Sequence, residues 1–179
     1  GMHMLGETGD GKQIRVGRLA ADALLLREIG RLRELTFRAV GEGTGRGIDV
    51  DAWDSWYEHI VLWDAPAARI AGAYRIARGA PVLAAHGIRG LYTASLFDYA
   101  DDAVARIAQG VELGRSFVVP DYWGGRSIDY LWQGIGAYLR AHPNSARTIE
   151  RIKRELVKRH ADDVEAYYEI KDPVCDLIW

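Results

Sequence analysis

Long apolar runs are missing from this 179-residue chain. None reaches the roughly 18 residues a membrane span needs, and the sequence is read as carrying no secretory leader. Cysteine is nearly absent: Cys175 alone cannot close an internal disulfide, so a reducing, cytoplasmic setting is expected. Excess charge is also missing. With 23 basic and 25 acidic side chains the net charge is -2, which excludes nonspecific nucleic-acid binding as the main role. The five histidines at 3, 59, 86, 142 and 160 have no metal-ligand spacing and Cys175 has no cysteine partner, so no metal is expected. Repeats and a second-domain linker are absent as well.

What is present is a globular composition, 49% hydrophobic and 27% charged, long enough for a sizeable core. Gly1 before Met2 reads as a tag remnant, and residues 1–13 as a flexible N-terminus. Residues 14–179 read as one domain, with 143–179 as its atypical part. The patterning predicts a strand at Ile14–Arg18, a helix over 19–40 with Leu26, Ile29, Arg33 and Phe37 on one face, and a flexible loop "GEGTGRG" at 41–47, a hinge or lid without the Lys and Ser/Thr of a P-loop. Runs at His59–Trp63 and Arg69–Ala77 predict an antiparallel hairpin closed by "DAPAA". Residues 79–99 read as loop with a short strand at Leu91–Thr93, and a helix is expected over Ala100–Gln109. A strand from 110 then enters a helix at about Arg126–Ala141, whose apolar stripe is Ile128, Leu131, Trp132, Ile135 and Tyr138. A helix from Asn144 or Ser145 to His160 and strands at Val164–Ile170 and Val174–Trp179 complete an α/β (α+β) chain with a mainly antiparallel central sheet flanked by helices.

The stretch "GVELGRSFVVPDYWGG" (110–125) carries the most chemistry. Strand alternation places Val111, Leu113, Arg115, Phe117 and Val119 on one side, and Glu112, Gly114, Ser116 and Val118 on the other. An apolar strand with two opposite charges asks for a reason, and Gly114 is where a bulge would re-aim them. Glu112, if desolvated, could serve as base for an amine nucleophile; pairing with Arg115 or pointing to solvent is the bland alternative. Gly124, Gly125 and Arg126 open a helix, where unpaired backbone N–H groups suit a phosphate, although two glycines also make a plain tight turn. Arg33 and Arg75 are inward-facing arginines with Asp51 and Asp54 as partners, able to lock a loop or to grip a carboxylate. His59 beside Asp54 is a weaker candidate. Trp53, Trp56 and Trp63 read as core packing or an acyl channel. Arg147, Arg151, Arg154 and Lys158 form one basic helix face, a solvated surface or a contact for a membrane or an acidic partner.

Six segments in order, "LRELTF" (32–37), "DAWDSWYEH" (51–59), "GAYRI" (72–76), "LYTASLFDY" (91–99), "VELGRSFVVPDY" (111–122) and "LWQGIGAYL" (131–139), resemble the ornithine-lipid N-acyltransferases and the hemolysin-like proteins grouped with them. Those have the GNAT-like acyl-CoA N-acyltransferase fold and are also similar to acyl-homoserine-lactone synthases. The resemblance covers about residues 14 to 142. It implies transfer of a fatty acyl group from an acyl carrier protein or coenzyme A thioester to a small amine, such as an amino acid in lipid biosynthesis, with no tightly bound cofactor. It implies Glu112 and Arg115 as catalytic, Arg33, Phe37, Asp51, Asp54, His59, Arg75 and Ser116 around the substrate, and Val118, Gly124, Gly125, Arg126 and Ser127 around the donor. Where that fold's pyrophosphate loop has its basic residue and glycines this chain has Trp123, Arg126 and Ile128, which favours a carrier protein over coenzyme A. A noncatalytic acyl- or lipid-binding module and a homoserine-lactone-type synthase are the alternatives. Peripheral contact with the inner membrane face and a homodimer through an exposed strand edge complete the expectations.

Overall fold

The computed structural model describes residues 1–143. The helix and strands expected beyond Pro143, with the basic face of Arg147, Arg151, Arg154 and Lys158, lie outside the described residues. The described chain forms two compact units, one of Gly1–Ile76 with Arg115–Tyr138 and one that includes Ala77–Gly114. Strands β1 (His3–Glu7), β2 (Lys12–Arg18), β3 (Glu58–Asp64), β4 (Arg69–Arg78) and β5 (Val111–Val118) make one sheet in the order β1-β2-β3-β4-β5. The β3–β4 hairpin is as expected from its two runs. Its turn is fixed by Asp64, whose carboxylate accepts the Ala67 N–H at 3.1 Å. On β4 the register slips between Leu62 and Trp63 of its partner.

In the first unit, helix α1 (Leu24–Ala39) lays Leu26, Ile29 and Leu32 on Val61, Ile70, Ala73, Phe117 and Val119 of the sheet. Ile60, next to Val61 and so on the opposite face, meets the last helix of the described chain, Ser127–Ala141. There a Cβ on Gly134 would lie 2.7 Å from Ile14 and 3.0 Å from Ile60, so close approach requires the glycine. The unit is thus a helix–sheet–helix sandwich. The stripe of that last helix is narrower than its sequence spacing predicts. Leu131, Ile135 and Tyr138 are buried, whereas Ile128 and Trp132 stay 43% and 37% exposed. The N-terminus is a further correction: residues 3–7 are a strand because β2 supplies a ladder from His3↔Val16 to Glu7↔Gln13.

In the second unit, "GAPVLAAH" is helix α2 (Gly79–His86) rather than loop. Pro81 sits in its first turn, where a missing N–H costs nothing, and Gly87 ends it at φ +65°. Leu91–Thr93 is not a strand. Tyr92–Ser95 is a 3-10 helix, since the N–H groups a strand would offer to a neighbour go to a carboxylate instead, as described below. The helix expected over 100–109 shortens to a 3-10 turn at Asp101–Ala103 and one helical turn, α3 (Val104–Ile107). Gly79 packs directly on its end: a Cβ there would sit 1.9 Å from the Ile107 carbonyl. The helix Ser127–Ala141 is α4.

Candidate functional site

In the first unit the inner stripe of α1 aims Arg33 into the core, where it is 1% exposed. A buried guanidinium demands partners, and the loop after α1 provides them. The fork of Arg33 bonds both oxygens of Asp54, at 3.2 and 2.8 Å. Its Nε bonds the Asp49 carbonyl at 3.1 Å and lies 3.1 Å from the Asp49 carboxylate. Asp51 and Asp54 clasp each other as a capping box around the 3-10 helix Ala52–Ser55. The Asp54 N–H donates to Asp51 at 3.2 Å, and the Asp51 N–H donates to Asp54 at 2.9 Å.

Strand β4 brings Arg75 to the same carboxylates, 2.6 Å from Asp51 and 3.3 Å from Asp54, with its guanidinium 5.1 Å over the Tyr57 ring. His59 faces Arg75 across the β3–β4 ladder, and its Nε2 lies 3.1 Å from the Asp54 carbonyl. Strand β5 adds Arg115, at 3.5 Å from Asp49 and 3.8 Å from Asp51. Three arginines and three aspartates thus balance in one cluster. Burial pushes the Asp54 carboxyl up, but the Arg33 bonds and the Arg33 and Arg75 charges outweigh it and hold the group below the usual range. Burial is the main cause that lowers His59, against the opposing pull of Asp54.

The cluster is closed except at one corner. Arg33, Arg75 and His59 are each 2% exposed or less and Asp54 is fully buried, whereas the Asp51 and Arg115 side chains keep 18% and 25% of their surface. At this corner the carboxylate oxygens facing Arg115, Oδ2 of Asp49 and Oδ2 of Asp51, accept no hydrogen bond among the described residues. Buried acceptors of this kind call for a donor. Arg115 itself has φ +50°, left-handed backbone that a non-glycine residue adopts at a cost. The left-handed residue in β5 is Arg115 and not Gly114, where the sequence suggested a bulge.

Residues 32–133 match the acetyltransferase (GNAT) domain family, more than half of the chain. The chain belongs to that family. This GNAT domain is 38% identical over 132 residues to a glycine N(alpha)-acyltransferase of Bacteroides thetaiotaomicron, a match covering 67% of this chain and 39% of that protein. It is 38% identical over 118 residues to an L-ornithine N(alpha)-acyltransferase of Agrobacterium fabrum, covering 62% and 39%, and 35% identical over 136 residues to one of Rhodobacter capsulatus, covering 70% and 51%. The chain therefore spans about two fifths to one half of the length of these relatives. No solved structure matches it.

The other residues singled out in the sequence fall elsewhere in the GNAT domain. Glu112 is 4% exposed and bonds within the second unit, accepting the N–H groups of Tyr92 at 3.2 Å and Thr93 at 2.7 Å. Its carboxylate thereby holds the Tyr92–Ser95 turn. Phe37 is half-buried against the α1 core, and Ser116 is exposed. The Val118 carbonyl receives the Trp123 indole N–H at 2.6 Å. Gly124 is left-handed at φ +74°, which the turn into α4 requires. Gly125 follows it, Arg126 stacks 5.3 Å over the Tyr130 ring and Ser127 is buried. Asp49, Tyr57 and Thr93 were missed by sequence reasoning. Asp49 had a signal, the Asp49–Asp51 alternation beside "DAWD", while Thr93, fully buried, had none. Among the described residues no helix is long and apolar enough to cross a membrane.

Proposed function

We propose that this GNAT domain is the catalytic part of an N-acyltransferase that moves an acyl group from a thioester donor to the α-amine of a small amino acid. The observation that carries this reading is the open corner of the ion cluster. An α-amino acid is a zwitterion, and a corner where the partly exposed Arg115 and Asp51 side chains meet the buried Asp49 carboxylate is its complement. The Arg115 guanidinium grips the acceptor carboxylate as a fork, and Asp49 and Asp51 receive its ammonium. Arg33, Arg75, Asp54 and His59 then act as the rigid support that holds those three groups. Relatives named for glycine and for L-ornithine share that acceptor feature, an α-nitrogen next to a carboxylate.

In the transfer, the bound ammonium first loses one proton to solvent, and the neutral amine nitrogen then attacks the thioester carbonyl carbon. A C–N bond forms and the C–S bond breaks; the nitrogen loses one proton and the departing thiolate gains one. The donor arm lies along the outer edge of β5 at Ser116 and Val118, with its phosphate at the turn of Gly124, Gly125, Arg126 and Ser127. Trp123 releases the Val118 carbonyl as the donor enters. Glu112 acts as a positioning residue for the turn Tyr92–Ser95. The donor is carried by an acyl carrier protein or by coenzyme A, in the cytoplasm, at the membrane face that receives the acylated product.

The test is mass spectrometry of the chain incubated with long-chain acyl carrier protein or acyl coenzyme A and either glycine, ornithine or alkylamines without a carboxylate. An amide on the α-nitrogen of the amino acids, with little on the alkylamines, is the expected result. Equal acylation of alkylamines would sink the zwitterion assignment, and no amide with any acceptor would sink the acyl-transfer reading.

A further inference from the structure

The outer face of α1 carries a feature that acyl transfer does not use. Arg31, Leu35, Arg38 and Ala39 recur at helical spacing along one stripe, and the loop Gly45–Gly47 runs beside them to make a groove of about 600 Å³. The Glu34 carboxylate pins the loop, accepting the Thr44 N–H at 2.9 Å, the Thr44 hydroxyl at 2.6 Å and the Gly45 N–H at 3.0 Å. Those bonds, with the Thr44 hydroxyl contributing most and Arg38 next, hold Glu34 down to about 2. Arg38 is fixed in turn, its Nη2 held by Glu34 at 2.7 Å and by the Arg46 carbonyl at 2.8 Å.

Three guanidinium groups therefore border a preformed groove whose floor is Leu35, 44% exposed. Arg31 spends two of its nitrogens on Glu28, and Arg38 shares Glu34 with the loop. The Arg46 guanidinium has no partner among the described residues, so the groove keeps surplus positive charge. Its dimensions select among anions. Arg31 and Arg38 are two helical turns apart, roughly 10 Å along the axis at 1.5 Å per residue, too far for one phosphate to bridge. Carboxylates two turns apart on a second helix have that same spacing, and an apolar side chain between them would rest on Leu35.

We propose that this groove docks an acidic amphipathic helix of the protein that delivers the acyl group. The inference rests on the carrier-borne donor of the preceding section. Complementary charge of this kind acts mainly on encounter and register, so the effect is salt-dependent.

The test uses the 179-residue chain and a fluorescently labelled long-chain acyl carrier protein, itself a small acidic helical protein, with binding read by anisotropy. Binding should weaken as salt is raised. Arg46→Glu and Arg31→Glu, both exposed and outside the core, should each weaken it about 10-fold or more with unchanged thermal unfolding, while acyl transfer from acyl coenzyme A stays at the wild-type rate. Carrier binding that is undetectable, or that survives both reversals, overturns the proposal. So does displacement of the carrier from this groove by inorganic pyrophosphate, which would make it a small-anion site. Salt- and arginine-dependent carrier binding in a chain that acylates no amine would uphold the docking surface and refute the acyl-transfer reading.

Discussion

Two carboxylates, Asp54 in the first unit and Glu112 in the second, are buried to nearly the same degree and satisfied by opposite means. Asp54 is neutralised by charge, between the forks of Arg33 and Arg75. Glu112 takes backbone N–H groups of a turn. The first arrangement locks three chain segments and leaves one charged corner open. The second shapes a single loop. Burial of a titratable group therefore does not by itself mark a reacting one; what matters is whether a charged neighbour of that group keeps surface toward solvent, as Asp51 and Arg115 do.

The comparison sharpens most under substitution. Asp54→Asn keeps the shape but leaves two buried guanidinium groups short of charge, so unfolding by urea should show a loss of about 3–5 kcal/mol. Glu112→Gln keeps one acceptor and turns the other oxygen into a donor that faces an N–H group. It should cost about 1–3 kcal/mol, with local hydrogen exchange at Tyr92 and Thr93 rising first. If the two losses came out equal, the distinction between charge and backbone satisfaction would fail.

Acid acts on two groups of the first unit in separate pH ranges. His59 takes up a proton less readily in the fold than in the free chain, its value lowered from 6.5 chiefly by burial. As the pH falls below 6.5 the unfolded chain takes up a proton that the fold resists, so stability should decline there. His59→Gln should flatten that part of the stability profile measured by urea melts; an unchanged slope would remove His59 as its source. Glu34 works lower. Held to about 2 against an ordinary 4.5, it contributes fully above 4.5 and loses its contribution as the pH falls toward 2. The smallest effect is expected at the surface, where Arg31→Ala breaks an exposed pair with Glu28 and should move stability by about 0–1 kcal/mol in a thermal melt.

How much of this was legible in the sequence depended on whether the cause was local. The β3–β4 hairpin was readable because alternation and the "DAPAA" turn sit within one stretch, and α4 because its period repeats over four turns. Arg33 stood out as a charge on an apolar stripe, and Asp51 and Asp54 were readable as available partners, while Asp49, which also pairs with Arg33, was missed. The Tyr92–Ser95 turn was not readable, since the carboxylate that bends it lies some twenty residues downstream at Glu112. Strand β1 was missed because its ladder depends wholly on β2. The left-handed Arg115 was anticipated only as a bulge at Gly114, the residue for which such a backbone is easy; the contacts with Asp49 and Asp51 place it one residue later.

The central claim is that Arg115, at the open corner of the ion cluster, reads the acceptor carboxylate. The most direct measurement is the ratio of kcat/KM for glycine over glycinamide, which lacks the carboxylate charge, in the wild-type chain and in Arg115→Gln. The account predicts a wild-type preference for glycine of about 10- to 100-fold, the worth of a charge-assisted contact, that falls close to unity in the variant through a rise in the KM for glycine. A preference that persists undiminished in Arg115→Gln would contradict it.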